Sequence, residues 1–338
     1  MSDSSTFTLA PKVRVLFTEP EAYDENLRSV LPAHWDCVFR SFAAEQDLVD
    51  WVNENDYDVV FARLGLTFGS SFFLASSVTK IVATPTTGLD HIDLKAAQKA
   101  CVQVLSLRGE LELLREITST AEHAWALLLA CSRKVPSLVE RTKTGSWARG
   151  DLKLHQLSGH TIGIIGFGRL GRMLADYARA FRMHVVTHDP YVTKDQIPFD
   201  IQHVSLEELL SKSDHTVLTA TYSPGDSEIL GRDQVLSIKS GSTFINVSRG
   251  ELVNEEALVE AVDLGILSAV GVDVLPGDSR WTFGEEVESA LIKKSCVTDR
   301  VLVTPHVGGY ALEAVRKTRL FMIQKVNKII NDEVGAVT

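Results

Sequence analysis

Cysteine is scarce and never paired: Cys37, Cys101, Cys131 and Cys296 lie far apart, with no C-x-x-C spacing. That excludes a zinc ribbon or a disulfide framework as the organising device, and it points to reduced thiols in a cytoplasmic protein with no bound metal. Basic charge is also short, 34 Lys and Arg against 44 Asp and Glu, for a formal net charge of −10. Such a chain does not take nucleic acid or an anionic membrane surface as its main partner, although a few local arginines can still serve an anionic substrate. Long apolar runs are missing as well. The longest, AWALLLAC (124–131), cannot span a bilayer, and the opening MSDSSTFTLAPKV has no apolar signal core. No internal repeat, low-complexity tract or appended regulatory domain is legible. A chain of 338 residues is long for one compact core, so two domains are expected.

What is present is a regular alternation of short apolar strands with helical patterns. VRVLF (13–17), YDVVFAR (57–63), KIVAT (80–84) and VQVLSL (102–107) form a first series, with helical stretches at 44–54 and 93–100. A second series follows: TIGIIG (161–166), HVVTHD (184–189), HTVLTA (215–220), STFINV (242–247), SAVGVDV (268–274) and RVLVTP (300–305). Alternation of this kind implies α/β architecture, mainly parallel sheets covered by helices on both faces. A long helical segment at 118–145, interrupted by Pro136, bridges the two series, and an amphipathic helix at 311–332 can return to the first domain.

GIIGFGRLG (163–171) carries Gly166, Gly168 and Gly171 in G-x-G-x-x-G spacing. The first glycine permits a tight turn, the second lets a pyrophosphate approach the backbone, and the third lets helix and strand pack closely. The phosphates would sit at the N-terminus of the helix that opens with Arg169 and Leu170. Alone the motif is weak. Here it follows an apolar strand, and the next strand, HVVTHD, ends in Asp189, where a carboxylate that accepts from ribose hydroxyls belongs. That acid would repel a 2′-phosphate, and no cation follows it directly, so the expected cofactor is NAD, not NADP.

Three further segments leave strands of the second series. VSRGELV (247–253) brings Arg249, GVDVLPGDSRW (271–281) brings Asp273 and Asp278, and VTPHVGGY (303–310) brings His306. The carboxyl ends of parallel strands share one edge of a sheet, so these groups can converge. Carbonyl reduction needs such a set: arginine to hold a carboxylate, histidine to exchange the proton, and an acid to orient the histidine. Each also has a plainer reading. Arg249 can be a structural ion pair, His306 a hydrogen bond at a domain junction, and the two aspartates ordinary turn residues.

In combination with TTGLDHIDLKAA (86–97), TAEHAWALLLACSR (120–133), HDPY (188–191) and INVSRGELVNEEAL (245–258), these segments resemble the D-isomer-specific 2-hydroxyacid dehydrogenases over nearly the whole chain. The resemblance implies two doubly wound parallel-sheet domains. One is a Rossmann NAD-binding domain at 116–306, and the other a discontinuous flavodoxin-like substrate domain at 1–115 and 307–338. It implies a homodimer and a small 2-oxo or 2-hydroxy acid substrate. It makes Arg249 the substrate-binding arginine, His306 the acid–base group and Asp278 its partner. It also places Asp273 against the nicotinamide carboxamide, and the substrate carboxylate at Thr87 and Gly88, with Arg63 nearby.

Two departures stand out. Asp278 is one methylene shorter than the glutamate usual in the family and precedes an unusually long segment, so Glu285 or Glu286 is an alternative partner for His306. Gly65 stands where phosphoglycerate-specific relatives tend to carry a second arginine, which weakens the case for a phosphorylated substrate. Arg108 and Arg115 could compensate or could equally be surface charges. Phosphoglycerate or hydroxypyruvate/glyoxylate reduction remains an open specific reading, and an NAD-sensing corepressor on the same scaffold is the rival of another class.

Overall fold

The computed structural model describes residues 12–149, 154–223, 225–281 and 287–335. They fall into two compact units, residues 12–113, 279–281 and 312–335 in one and 114–278 and 287–311 in the other. Hydrogen bonds account for two of these assignments. The amides of Val307 and Gly308 donate to the Asp273 carboxylate, which keeps them with the second unit. The Gly65 amide donates to the Ser279 carbonyl, which keeps 279–281 with the first.

The first unit is built on β1 (Val13–Phe17), β2 (Trp35–Phe39), β3 (Val59–Phe61), β4 (Ile81–Ala83) and β5 (Gln103–Leu105). Their order is β2-β1-β3-β4-β5, all parallel. Leu16, Val60 and Val82 are fully buried and pack with Leu48, Phe68 and Phe72 into one core. WDCVF (35–39) was not anticipated as a strand. It is an edge strand with a charge and mostly half-buried side chains, so it lacks the apolar run that marks its neighbours.

The second unit holds β6 (Thr161–Ile165), β7 (His184–His188), β8 (Gln202–His203), β9 (His215–Leu218), β10 (Ser242–Asn246), β11 (Leu267–Val272) and β12 (Val301–Val303). The order β12-β11-β10-β9-β6-β7-β8 is again parallel throughout. The chain runs outward from β6 in one direction to β8, then returns to β9 on the other side. β6 is therefore a topological switch point, where open α/β sheets bind ligands. The registers Ile165↔His188, Ile165↔Leu218, Asn246↔Leu218, Asn246↔Val272 and Val272↔Val303 line up the carboxyl ends along one edge. Leu128, Ile162, Ile164, Leu174, Val217 and Ile245 fill the core behind that edge. Truncating a residue as buried as Leu128 to alanine would cost about 2–5 kcal/mol.

The bridging segment is two helices, not one. Ser119–Arg133 ends at Lys134, whose φ of 52° is left-handed, and Val135–Lys143 starts there with Pro136 in its first turn. Proline is tolerated at that position because its missing N–H would have no helical acceptor there. Among the described residues no helix is long and apolar enough to cross a membrane, and no grouping of metal-binding side chains is found.

Candidate active site

The glycine turn leaves β6 with the geometry each of its glycines requires. Gly166 has φ of 93°, and a Cβ there would lie 2.6 Å from the Ala220 backbone. A Cβ on Gly171 would come within 2.2 Å of the Gly166 carbonyl oxygen, while one on Gly168 would meet nothing within 4 Å. Two glycines thus close the turn and the third leaves its outer side open. The helix Arg169–Ala180 begins on Gly168, and no side chain caps its first amides. An open approach to uncapped amides suits a pyrophosphate.

Asp189 ties the end of β7 to this turn. One carboxylate oxygen accepts from the Phe167 amide at 2.8 Å and the other from the Tyr191 amide at 2.9 Å. Each oxygen keeps a second lone pair, so ribose hydroxyls can still donate to it. The Arg169 side chain is spent elsewhere: its Nη1 donates to the carbonyls of Ile117 at 2.6 Å and Leu114 at 3.2 Å, and burial lowers its pKa. Arg169 and Leu170 can therefore offer this site only their backbone amides.

Arg249 follows β10, and its Nη1 donates to the Ser248 carbonyl at 2.8 Å. The next residue, Gly250, is pressed against the turn after β11, so that a Cβ there would lie 2.1 Å from Leu275 C and Pro276 N. Glu251 Oε1 accepts from the Gly277 amide at 2.9 Å. The two turns are locked together, and the second delivers Asp278. One Asp278 oxygen accepts from the Leu275 amide at 3.2 Å and lies 3.0 Å from His306 Nδ1. A carboxylate can only accept, so Nδ1 can donate to it at that distance, which would leave Nε2 for proton exchange. His306 is a quarter exposed, so that nitrogen can be reached.

Asp273 holds the backbone around His306. Its carbonyl accepts from the His306 amide at 2.8 Å, and its carboxylate accepts from the amides of Val307 at 3.0 Å and Gly308 at 2.8 Å. Thr304 Oγ1 donates to the same carboxylate at 2.6 Å, and His123 Nε2 lies 3.2 Å away. Burial alone would push the carboxyl up, but donors from His123, Thr304, Gly308 and Val307 hold it below the usual carboxylate range. The nicotinamide role that the resemblance implies thus falls on a carboxylate already engaged by four donors. His123, Thr304 and Glu251 were not singled out from the sequence. All three lie inside the motifs, but nothing in the spacing of His123 and Thr304 says that they meet.

In the first unit, the Arg63 guanidinium donates to the carbonyls of Phe42 at 2.8 Å and Leu64 at 3.2 Å. Thr86 Oγ1 donates to the Gly88 carbonyl at 2.7 Å, and Thr87 is exposed beside it. Gly65 has φ of 73° and the Trp281 carbonyl oxygen 2.9 Å from where its Cβ would be. Arg108 and Arg115 are exposed. Glu285 and Glu286 lie outside the described residues.

Residues 125–308 match the family described as "D-isomer specific 2-hydroxyacid dehydrogenase, NAD binding domain". A hydroxypyruvate reductase of Thermotoga maritima is 31% identical over 81% of this chain and 85% of its own length. A D-3-phosphoglycerate dehydrogenase of Methanocaldococcus jannaschii is 26% identical over 96% of the chain, which spans only 58% of that relative. A D-lactate dehydrogenase of Aquifex aeolicus, solved with NAD and lactic acid, shares the fold, with a TM-score of 0.79 over 95% of this chain and 96% of that one at 22% identity.

Proposed function

The chain belongs to the D-isomer-specific 2-hydroxyacid dehydrogenases, and from that premise we propose that it reduces a small, unphosphorylated 2-oxo acid to the D-2-hydroxy acid, with His306 as the acid–base group. The observation that carries this reading is the 3.0 Å contact between His306 Nδ1 and the buried carboxylate of Asp278. It lies on the same sheet edge as the glycine turn. NAD supplies the hydride chemistry when bound. The residues fit it: an open Gly168, uncapped helix amides and an Asp189 with lone pairs to spare.

In reduction the His306 imidazolium gives its Nε2 proton to the carbonyl oxygen, and Asp278 orients the ring through Nδ1. In this reading Arg249 is the substrate-binding arginine, and the amides at Thr87 and Gly88, with Arg63, are the candidates for the substrate carboxylate. Gly65 supports an unphosphorylated substrate. An arginine at that position would need a left-handed backbone and would meet the Trp281 carbonyl. A corepressor has no use for an oriented histidine–carboxylate pair, and no observation favours that alternative.

Two further parts of the proposal are a homodimer, supported by exposed apolar side chains on Val135–Lys143 and at Trp147, and a cytoplasmic setting, supported by four free thiols. A disulfide among those cysteines in protein isolated from its source would overturn the second. The catalytic reading is tested by a panel of 2-oxo acids, hydroxypyruvate, glyoxylate, pyruvate and phosphohydroxypyruvate among them, with NADH and NADPH followed by absorbance. The expected result is turnover of an unphosphorylated acid with NADH outperforming NADPH. No turnover with any acid would overturn it.

A further inference from the structure

The left-handed backbone at His306, φ of 52°, puts an ordinary side chain where glycine is favoured, so the surrounding structure has to hold it there. Three successive amides, those of His306, Val307 and Gly308, all donate to Asp273, the first to its carbonyl and the others to its carboxylate. The loop can be no better placed than that carboxylate. Asp273 is 2% exposed and reaches its post through two side-chain donors. Thr304 Oγ1 lies 2.6 Å from Asp273 Oδ1, and His123 Nε2 lies 3.2 Å from the same oxygen and 2.9 Å from Thr304 Oγ1. Because the carboxylate only accepts, the threonine hydroxyl donates to it, and the His123 Nε2–H spans the threonine and carboxylate oxygens. The helix Ser119–Arg133 carries His123 and also packs against the loop directly. A Cβ on Gly308 would fall 3.4 Å from Thr120 Cγ2 and 3.6 Å from His123 Cβ.

We infer that His123 is a positioning residue for His306, acting through Asp273 on the 304–308 loop; the inference rests on the catalytic reading above. Because His123 acts through the Asp273 carboxylate, its effect should reach the proton-transfer step and leave substrate capture alone. Loss of one donor to a buried carboxylate changes an equilibrium by about ten- to a hundred-fold. A His306 ring that samples other orientations should lower kcat to a comparable extent.

The test compares His123→Gln with His123→Asn. Both keep an amide donor, but only glutamine places its nitrogen as far out as imidazole Nε2. The expected result is near wild-type turnover for Gln. For Asn, kcat should fall roughly ten- to a hundred-fold, with the KM for the oxo acid and the melting temperature little changed. Equal kcat in both variants, or a loss in Asn that follows a loss of folded protein, would overturn the inference.

A readout independent of turnover is the histidine ¹⁵N spectrum. His306 should show a single Nδ1–H tautomer in wild type and in Gln, and an averaged signal in Asn. Unchanged His306 signals in Asn would overturn the positioning role even if no oxo acid is turned over. A wild type without turnover but with the expected spectra would overturn only the catalytic reading.

Discussion

Asp278 keeps 8% of its side chain exposed, so its charge must be met by protein groups, among them the Leu275 amide and His306 Nδ1. The shorter acid reaches its partner because the chain folds back beneath it. Gly277 turns through φ of 82°, and a 3₁₀ turn begins at Asp278 itself. From this geometry His306→Asn should lose about 10²–10⁴-fold in kcat and still bind NADH, since proton transfer alone carries that much. Asp278→Asn preserves size but removes both the charge and the demand for hydrogen on Nδ1, so a smaller loss in kcat/KM is expected. Steady-state kinetics with a fluorescence titration of NADH check both, and full activity in His306→Asn would remove that residue from the mechanism. Strand order places Arg249, Asp278 and His306 after strands that end on one sheet edge, and that placement is legible in the sequence. The partners of Arg169 are not. Its guanidinium found the Leu114 and Ile117 carbonyls, some fifty residues away in sequence, and no local pattern announces such a partner.

The turns after β10 and β11 behave as one element. Gly250 lies so close to the backbone of Leu275 and Pro276 that no methyl group fits, and the clashing atoms cannot rotate away as a side-chain tip could. Gly250→Ala must push the turns apart, displacing Arg249 and Asp278 together. The expected outcome is a melting temperature lowered by several degrees, in line with overpacking costs of about 1–3 kcal/mol, and a fall in kcat/KM of at least about tenfold. Gly168→Ala is the instructive contrast. Its Cβ meets no protein atom within 4 Å, so thermal stability should hold while NADH affinity drops. Thermal melts and cofactor titrations of the pair check this, and an undisturbed Gly250→Ala would show that the turns move independently. At this scale the sequence was most readable where apolar runs are longest. β6, β7, β10 and β11 and the helix Arg169–Ala180 were all anticipated, whereas the two-residue β8 and the edge strand β2 were not. The break at Lys134 was half legible. Pro136 marked an interruption, but the left-handed residue that makes it comes two positions earlier.

For the whole molecule, the sequence is least informative about assembly, because an interface and a solvated surface follow the same periodicity. The structure adds a specific surface. Val135 and Val139 stand one helical turn apart and are each nearly half exposed, and Trp147, shortly after the helix, is 81% exposed. An exposed tryptophan is the kind of anchor that concentrates binding energy at an interface. A second copy of the same chain is the economical partner, since a two-fold axis lets one patch serve both sides. Physiological salt largely screens the repulsion between two chains of net charge −10 beyond about 8 Å. Sedimentation at micromolar concentration should therefore give a mass near twice the 37.2 kDa of one chain. Val139→Glu together with Trp147→Glu would bury like charges across the axis and should return the mass to that of a single chain, without a change in melting behaviour of the isolated protomer. Wild-type protein that sediments as a single chain would overturn the dimer. A doubly substituted protein that stays dimeric would move the interface to another face.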